Sequence, residues 1–107
     1  MPTVNEGIAR KLLGDVPEGK QFYSNDGRVM KNLGELSLAL GEMSDDNFSY
    51  HSNPAKTDFS NWVKDVIGDE KLATDLQKSG NRVKASKAVS DRIAWLNTKI
   101  PASRRPK

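Results

Sequence analysis

Apolar side chains recur along most of this chain at helical rather than strand spacing, and they do so most densely between residues 59 and 67. Phe59, Trp62, Val63, Val66 and Ile67 fall at i, i+3, i+4, i+7 and i+8, which places five large side chains on one helical stripe. Asn53 suits an N-cap and Pro54 the first helical position, where its missing N–H leaves nothing unpaired. Gly68 can take the left-handed conformation that stops a helix, and Asp69 can cap the next one. The pattern therefore predicts a helix over 54–67 on which the other elements pack.

Ile8, Leu12 and Leu13 predict a short helix over 6–13 that Gly14 ends. Gln21-Phe22-Tyr23 and Arg28-Val29-Met30 flank Ser24-Asn25-Asp26-Gly27, residue types that tolerate a tight turn, so a small hairpin is expected there. Asn32 and Glu35 form an approximate capping box for a helix from Leu33 to about Met43, with Leu33, Leu36, Leu40 and Met43 as its inner stripe and Ala39 widening it. Ser44 followed by Asp45 and Asp46 starts another helix through about His51, anchored by Phe48. Asp69 caps a helix through about Ser79, anchored by Leu72, Ala73 and Leu76. Asn81 opens the longest helix, to about Lys99, along Ala85, Val89, Ile93, Leu96 and Ile100, with Ala88 and Trp95 broadening its stripe.

Length and composition narrow the class without naming an activity. A chain of 107 residues suits one modest core, with residues 1–100 as a single helical domain and 101–107 as a basic tail that is disordered on its own. Hydrophobic residues at 36%, charged residues at 29% and a mean hydropathy of -0.69 describe a soluble, surface-rich protein. No run approaches the roughly 18 apolar residues that span a bilayer, and the first residues lack the pattern of a signal peptide. The expected setting is cytoplasmic, with no membrane contact. Without cysteine, and with His51 as the single histidine, disulfides, thiolate chemistry and sites needing two imidazoles are excluded.

Charge is unevenly placed. Residues 1–43 carry net -1, residues 44–70 net -4 and residues 71–107 net +8. Such polarity suggests either an anionic partner for the last third or self-association of one end with the other. The cations that could meet a nucleic acid or another anion are Lys78, Arg82, Lys84, Lys87, Arg92, Lys99, Arg104, Arg105 and Lys107, although on a helical wheel they do not form one stripe. A helix-turn-helix is not implied, because Gly80 lies seven residues after Ala73, too far for that motif's turn.

Other candidate sites have plainer explanations. His51 with Asp58 could be imagined as an acid–base or metal pair, but one imidazole among scattered carboxylates is better read as structural. Asp65, Asp69 and Glu70 around Gly68 do not have the spacing of a calcium loop, and no glycine pattern cradles phosphate. Trp62 and Trp95 are placed with Phe48, Phe59, Val63, Val66 and Ile67 in the core rather than as stacking platforms. No cofactor, metal or small-molecule substrate is expected, and no nucleophile, base and orienting group can be assembled.

Phe22 to Leu40, with its hairpin and Leu33-Gly34-Glu35-Leu36, and Phe48 to Leu76, with Phe48-Ser49-Tyr50-His51 and Asp58-Phe59-Ser60-Asn61-Trp62-Val63 ending in Gly68-Asp69, resemble a family of small uncharacterised domains found in archaea and some bacteria. The resemblance covers about residues 22–76. It implies this fold and an intracellular prokaryotic setting, and it brings no activity. Within it, Asp58 favours a helix dipole and His51 bonds across the Asn53-Pro54 turn, both as structural residues.

The sequence thus predicts a mainly α fold of five or six short helices around helix 54–67 with one small hairpin near 21–30. The expected function is non-catalytic binding, either to a protein partner or to itself, with contact to DNA or RNA through the last helix and tail as the alternative.

Overall fold

The structure, a computed structural model, describes residues 4–101. Its elements are α1 (Glu6–Leu13), a 3-10 turn at Glu18–Lys20, a first hairpin of β1 (Phe22–Tyr23) and β2 (Val29–Met30), α2 (Leu33–Glu42) and α3 (Asp45–His51). A second hairpin follows, β3 (Ser52–Asn53) and β4 (Lys56–Thr57), then α4 (Asp58–Trp62), a π-helical turn at Val63–Ile67, α5 (Glu70–Lys78) and α6 (Arg82–Asn97). The fold is mainly helical, as the periodicity predicts. No helix of the described residues is long and apolar enough to cross a membrane.

Helix starts follow cap chemistry closely. Asn5, Asn32, Ser44, Asp69 and Asn81 each accept a hydrogen bond from the backbone N–H three residues on, which satisfies a donor that has no intrahelical partner. At α2 the box is displaced by one residue, since Glu35 accepts from the Lys31 N–H (2.8 Å) rather than from that of Asn32. In the first hairpin Phe22 pairs with Met30 and Tyr23 with Val29, and Gly27 takes a φ of 89° in the turn, open to glycine at little cost.

The organising helix is shorter than its pattern implied. Residues 54–57 belong to the second hairpin, where Pro54 and Ala55 form the turn and the Asn53 side chain accepts from Ala55 N–H (2.9 Å) and Lys56 N–H (3.1 Å). An asparagine followed by proline satisfies a turn as well as a helix start, so the same residue types permitted both. The C-terminal end is as expected: Gly68 is left-handed at φ 91°, and its N–H and that of Asp69 both donate to the Val63 carbonyl.

The core draws on every helix, with α6 packed against α1, α2 and α5 and with the Phe22, Phe48 and Phe59 rings stacked together. Phe59, Trp62, Val63 and Ile67 are buried, whereas Val66 is only partly buried at its edge. Trp62 donates its indole N–H to the Lys20 carbonyl at 2.8 Å, tying the 3-10 turn to α4. Trp95 is the clear departure from expectation, because it is 40% exposed. Its neighbour Leu96 continues the inner stripe of Ala85, Val89 and Ile100, and one residue on a helix is about a 100° turn, so Trp95 lies on the flank. α1 is also rotated from its predicted face, with Ala9 and Leu12 inside and Ile8 at 37% exposure.

Candidate functional site

His51 sits at the junction of both hairpins. Its Nε2 accepts from the Asn25 N–H at 2.8 Å, and since that backbone group can only donate, the imidazole proton is on Nδ1. Nδ1 then donates to Asp58 Oδ2 at 3.0 Å, across the Asn53-Pro54 turn, and Lys56 Nζ meets the same carboxylate at 3.2 Å. Phe22, Tyr50 and Phe59 surround the ring, whose residue is 5% exposed. With both nitrogens committed to internal bonds, the imidazole has no lone pair left for a metal or a proton acceptor's work. Beside it, Asn47 Nδ2 donates to Ser24 Oγ at 3.2 Å, while the buried Asn47 Oδ1 has no partner among the described residues. Ser24 in turn donates to Asp26, which holds that carboxyl below its ordinary pKa with further help from Arg28.

Among the described residues, three of the candidate cations of the last third are held in pairs within the fold. Arg92 is engaged inward, its Nε donating to Asp69 Oδ2 (2.7 Å) and its Nη2 to Asp69 Oδ1 (3.0 Å), and the Asp69 side chain is 1% exposed. That Asp69 oxygen also accepts the Leu72 N–H, so the carboxylate caps α5 and binds α6 at once. Arg82 meets Asp45 at 2.8 Å and donates to the carbonyls of Leu40 and Gly41, closing the end of α2. Lys87 pairs with Asp91. Lys78, Lys84 and Lys99 are exposed, and Lys99 Nζ and Arg92 Cζ lie 4.8 Å and 4.6 Å from the Trp95 ring. Arg104, Arg105 and Lys107, with the rest of the expected tail beyond Pro101, lie outside the described residues. Much of the charge polarity along the chain is therefore answered within the fold, acidic 45 and 69 against basic 82 and 92. Among the described residues no cluster of three His, Cys, Asp or Glu could hold a metal ion.

An apolar face that residue patterning did not single out lies on the first hairpin. Tyr23 and Val29 are opposite each other in the ladder, so their side chains share the outer side, and they are 64% and 48% exposed. Val29 and the 62%-exposed Leu38 line one groove of about 250 Å³ between the hairpin and α2, with Met30 and Ala39 also in its wall. Its charged rim holds Arg28 and Glu35, and Arg28 is bound by Asp26 (2.9 Å) and Glu42 (2.8 Å), contacts that raise its pKa with the Glu42 bond first. The signals were present: Leu38 is off the Leu33, Leu36, Leu40 stripe, and strand alternation that buries Phe22 must expose Tyr23. A second groove of about 410 Å³, between α2 and α6, is lined by Ser37, Gly41, Ser86, Ser90 and the side chains of Arg82 and Val83 among others, with the Lys87–Asp91 pair on its edge.

No family model matches the chain, and no characterised protein or solved structure is found to be similar to it. The resemblance seen in the sequence is carried by its motifs alone.

Proposed function

We propose that the protein is a non-catalytic interaction module that binds a protein partner through the outer face of its first hairpin and α2. The observation that carries this reading is the contiguous exposure of Tyr23, Val29 and Leu38. Scattered exposed apolar residues are ordinary on a protein surface, whereas adjoining large ones mark contact surfaces. Two further features support it. The groove beside them is smaller than the roughly 300–1,000 Å³ of small-molecule sites, and it suits a partner's side chain better than a metabolite. The one histidine, the usual general base, is consumed by structural bonds. Panning a random peptide library against the protein tests the reading. Ligands that bind the wild type and lose affinity for Leu38→Ser support it; ligands indifferent to Leu38→Ser, or no ligands, count against it.

A second reading, contact with DNA or RNA, rests on the exposed Lys78, Lys84 and Lys99 and on Trp95 with two cations at its ring. The internal pairing of Arg82, Lys87 and Arg92 leaves it fewer charges than the sequence suggested. A salt titration of binding decides it, since each phosphate contact on duplex DNA contributes about 0.9 to the log–log slope.

A further inference from the structure

Resting on the protein-binding reading above, the structure points further, to the chemistry of the partner. We propose that the Tyr23, Val29 and Leu38 face receives an amphipathic helix whose apolar side is bordered by lysine or arginine. Three observations converge on this occupant.

The first is the lack of a sheet edge to extend. Both strands of the hairpin have two residues, and the carbonyl of Lys31, just past β2, already accepts the Val16 N–H at 2.8 Å. A partner strand would find too few free backbone groups, so recognition has to run through side chains, as it does when a helix lies in a groove. The second is shape. Leu38 and Ala39 line the groove from α2 and Val29 and Met30 line it from the hairpin, around a volume of about 250 Å³ that suits apolar side chains presented by a partner. Anchors of that kind on one helical face recur at i, i+3, i+4 and i+7.

The third is charge. Asp26, Glu35 and Glu42 border the face, and the one arginine among them, Arg28, is engaged by both Asp26 and Glu42. Lys31 extends its ammonium to Asp15, 3.9 Å away. The border is therefore net acidic on a protein whose total charge is +3, and opposite charge at a rim steers association and selects partners. Polyanions are disfavoured here for the same reason.

The test uses the full chain and two labelled helices of designed sequence, one built of leucine and lysine with a single apolar face and one with glutamate in place of every lysine. The leucine–lysine helix is expected to bind, and the leucine–glutamate helix to bind at least about tenfold more weakly. Leu38→Ser should weaken the first by about tenfold, and Glu42→Lys by about threefold, with unfolding midpoints close to wild type because both positions are on the surface. Equal binding of the two helices overturns the inference, as does binding indifferent to Leu38→Ser. A wild-type dimer that Leu38→Ser makes monomeric also overturns it, because the occupant is then a second copy. If library ligands depend on Leu38 while the leucine–lysine helix does not bind, the partner's chemistry is wrong and the interaction reading stands; if neither engages the face, both fall.

Discussion

Each of the two hairpins has two-residue strands, and each is fastened to His51, but their surfaces differ. The first hands its loop to the imidazole through the Asn25 N–H, and the second is closed by Asp58 on the other ring nitrogen. In the second hairpin two long polar side chains turn inward: Asn53 bonds Ser49, Ala55 and Lys56, and the Lys56 ammonium meets Asp58 and lies 4.4 Å from the Tyr50 ring centre. The first buries Phe22 and Met30 but leaves Tyr23 and Val29 uncovered. Strands of the same length are therefore covered in one place and left with an open apolar side in the other, and the outward residues decide which.

The largest way to disturb this comparison is to remove what lies beneath both hairpins. Phe59 is 2% exposed and contacts Phe22, Phe48 and His51 with ring centres 5.1, 5.8 and 5.4 Å away. Phe59→Ala is expected to cost about 3–5 kcal/mol, read by urea unfolding, and to threaten the fold as a whole. Next is His51→Ala, which takes the acceptor from the Asn25 N–H and leaves the Asp58 carboxylate with Lys56 alone. A loss of about 2 kcal/mol is expected, with amide exchange accelerated in both hairpins. Asn53→Ala separates the two: it should cost about 1 kcal/mol and loosen residues 52–57 while the first hairpin keeps its protection.

The smallest effect concerns Asp26. Its carboxyl pKa is lowered in the folded protein, by the Ser24 hydroxyl first and by Arg28 as well. Its contribution is therefore present above the unfolded carboxyl value and lost as pH falls through the lower folded one. Asp26→Asn should lower stability near neutral pH by about 0.5 kcal/mol or less, because the group is screened by solvent, and the difference from wild type should vanish once the pH has fallen below the lowered folded value.

Cap residues and the 3.6-residue period made most of the helices legible, since Asn32, Ser44, Asp69 and Asn81 announce starts by chemistry that acts over three residues. The second hairpin was hidden because Asn53-Pro54 serves a turn and a helix start equally, and only the contact of His51 with Asp58 and the strand pairing select the turn. Trp95 was misplaced because a periodic stripe gives its own width poorly; one position decides between the core beside Leu96 and the flank beside Arg92 and Lys99. The charge blocks were visible, but not that Arg92 would reach Asp69 or Arg82 reach Asp45, 23 and 37 residues away in sequence. Pairing across such distances depends on how helices pack, and local pattern does not carry it.

The most direct test of the proposed binding face is an amide chemical-shift titration of the protein with a peptide selected from the library. The account predicts that perturbed residues gather at Tyr23, Val29 and Leu38, with residues 52–57, the exposed side of α6 at Lys84, and Lys99 just past its end unmoved. Perturbation running along α6 with the first hairpin silent would contradict it and move the functional surface to the basic helix.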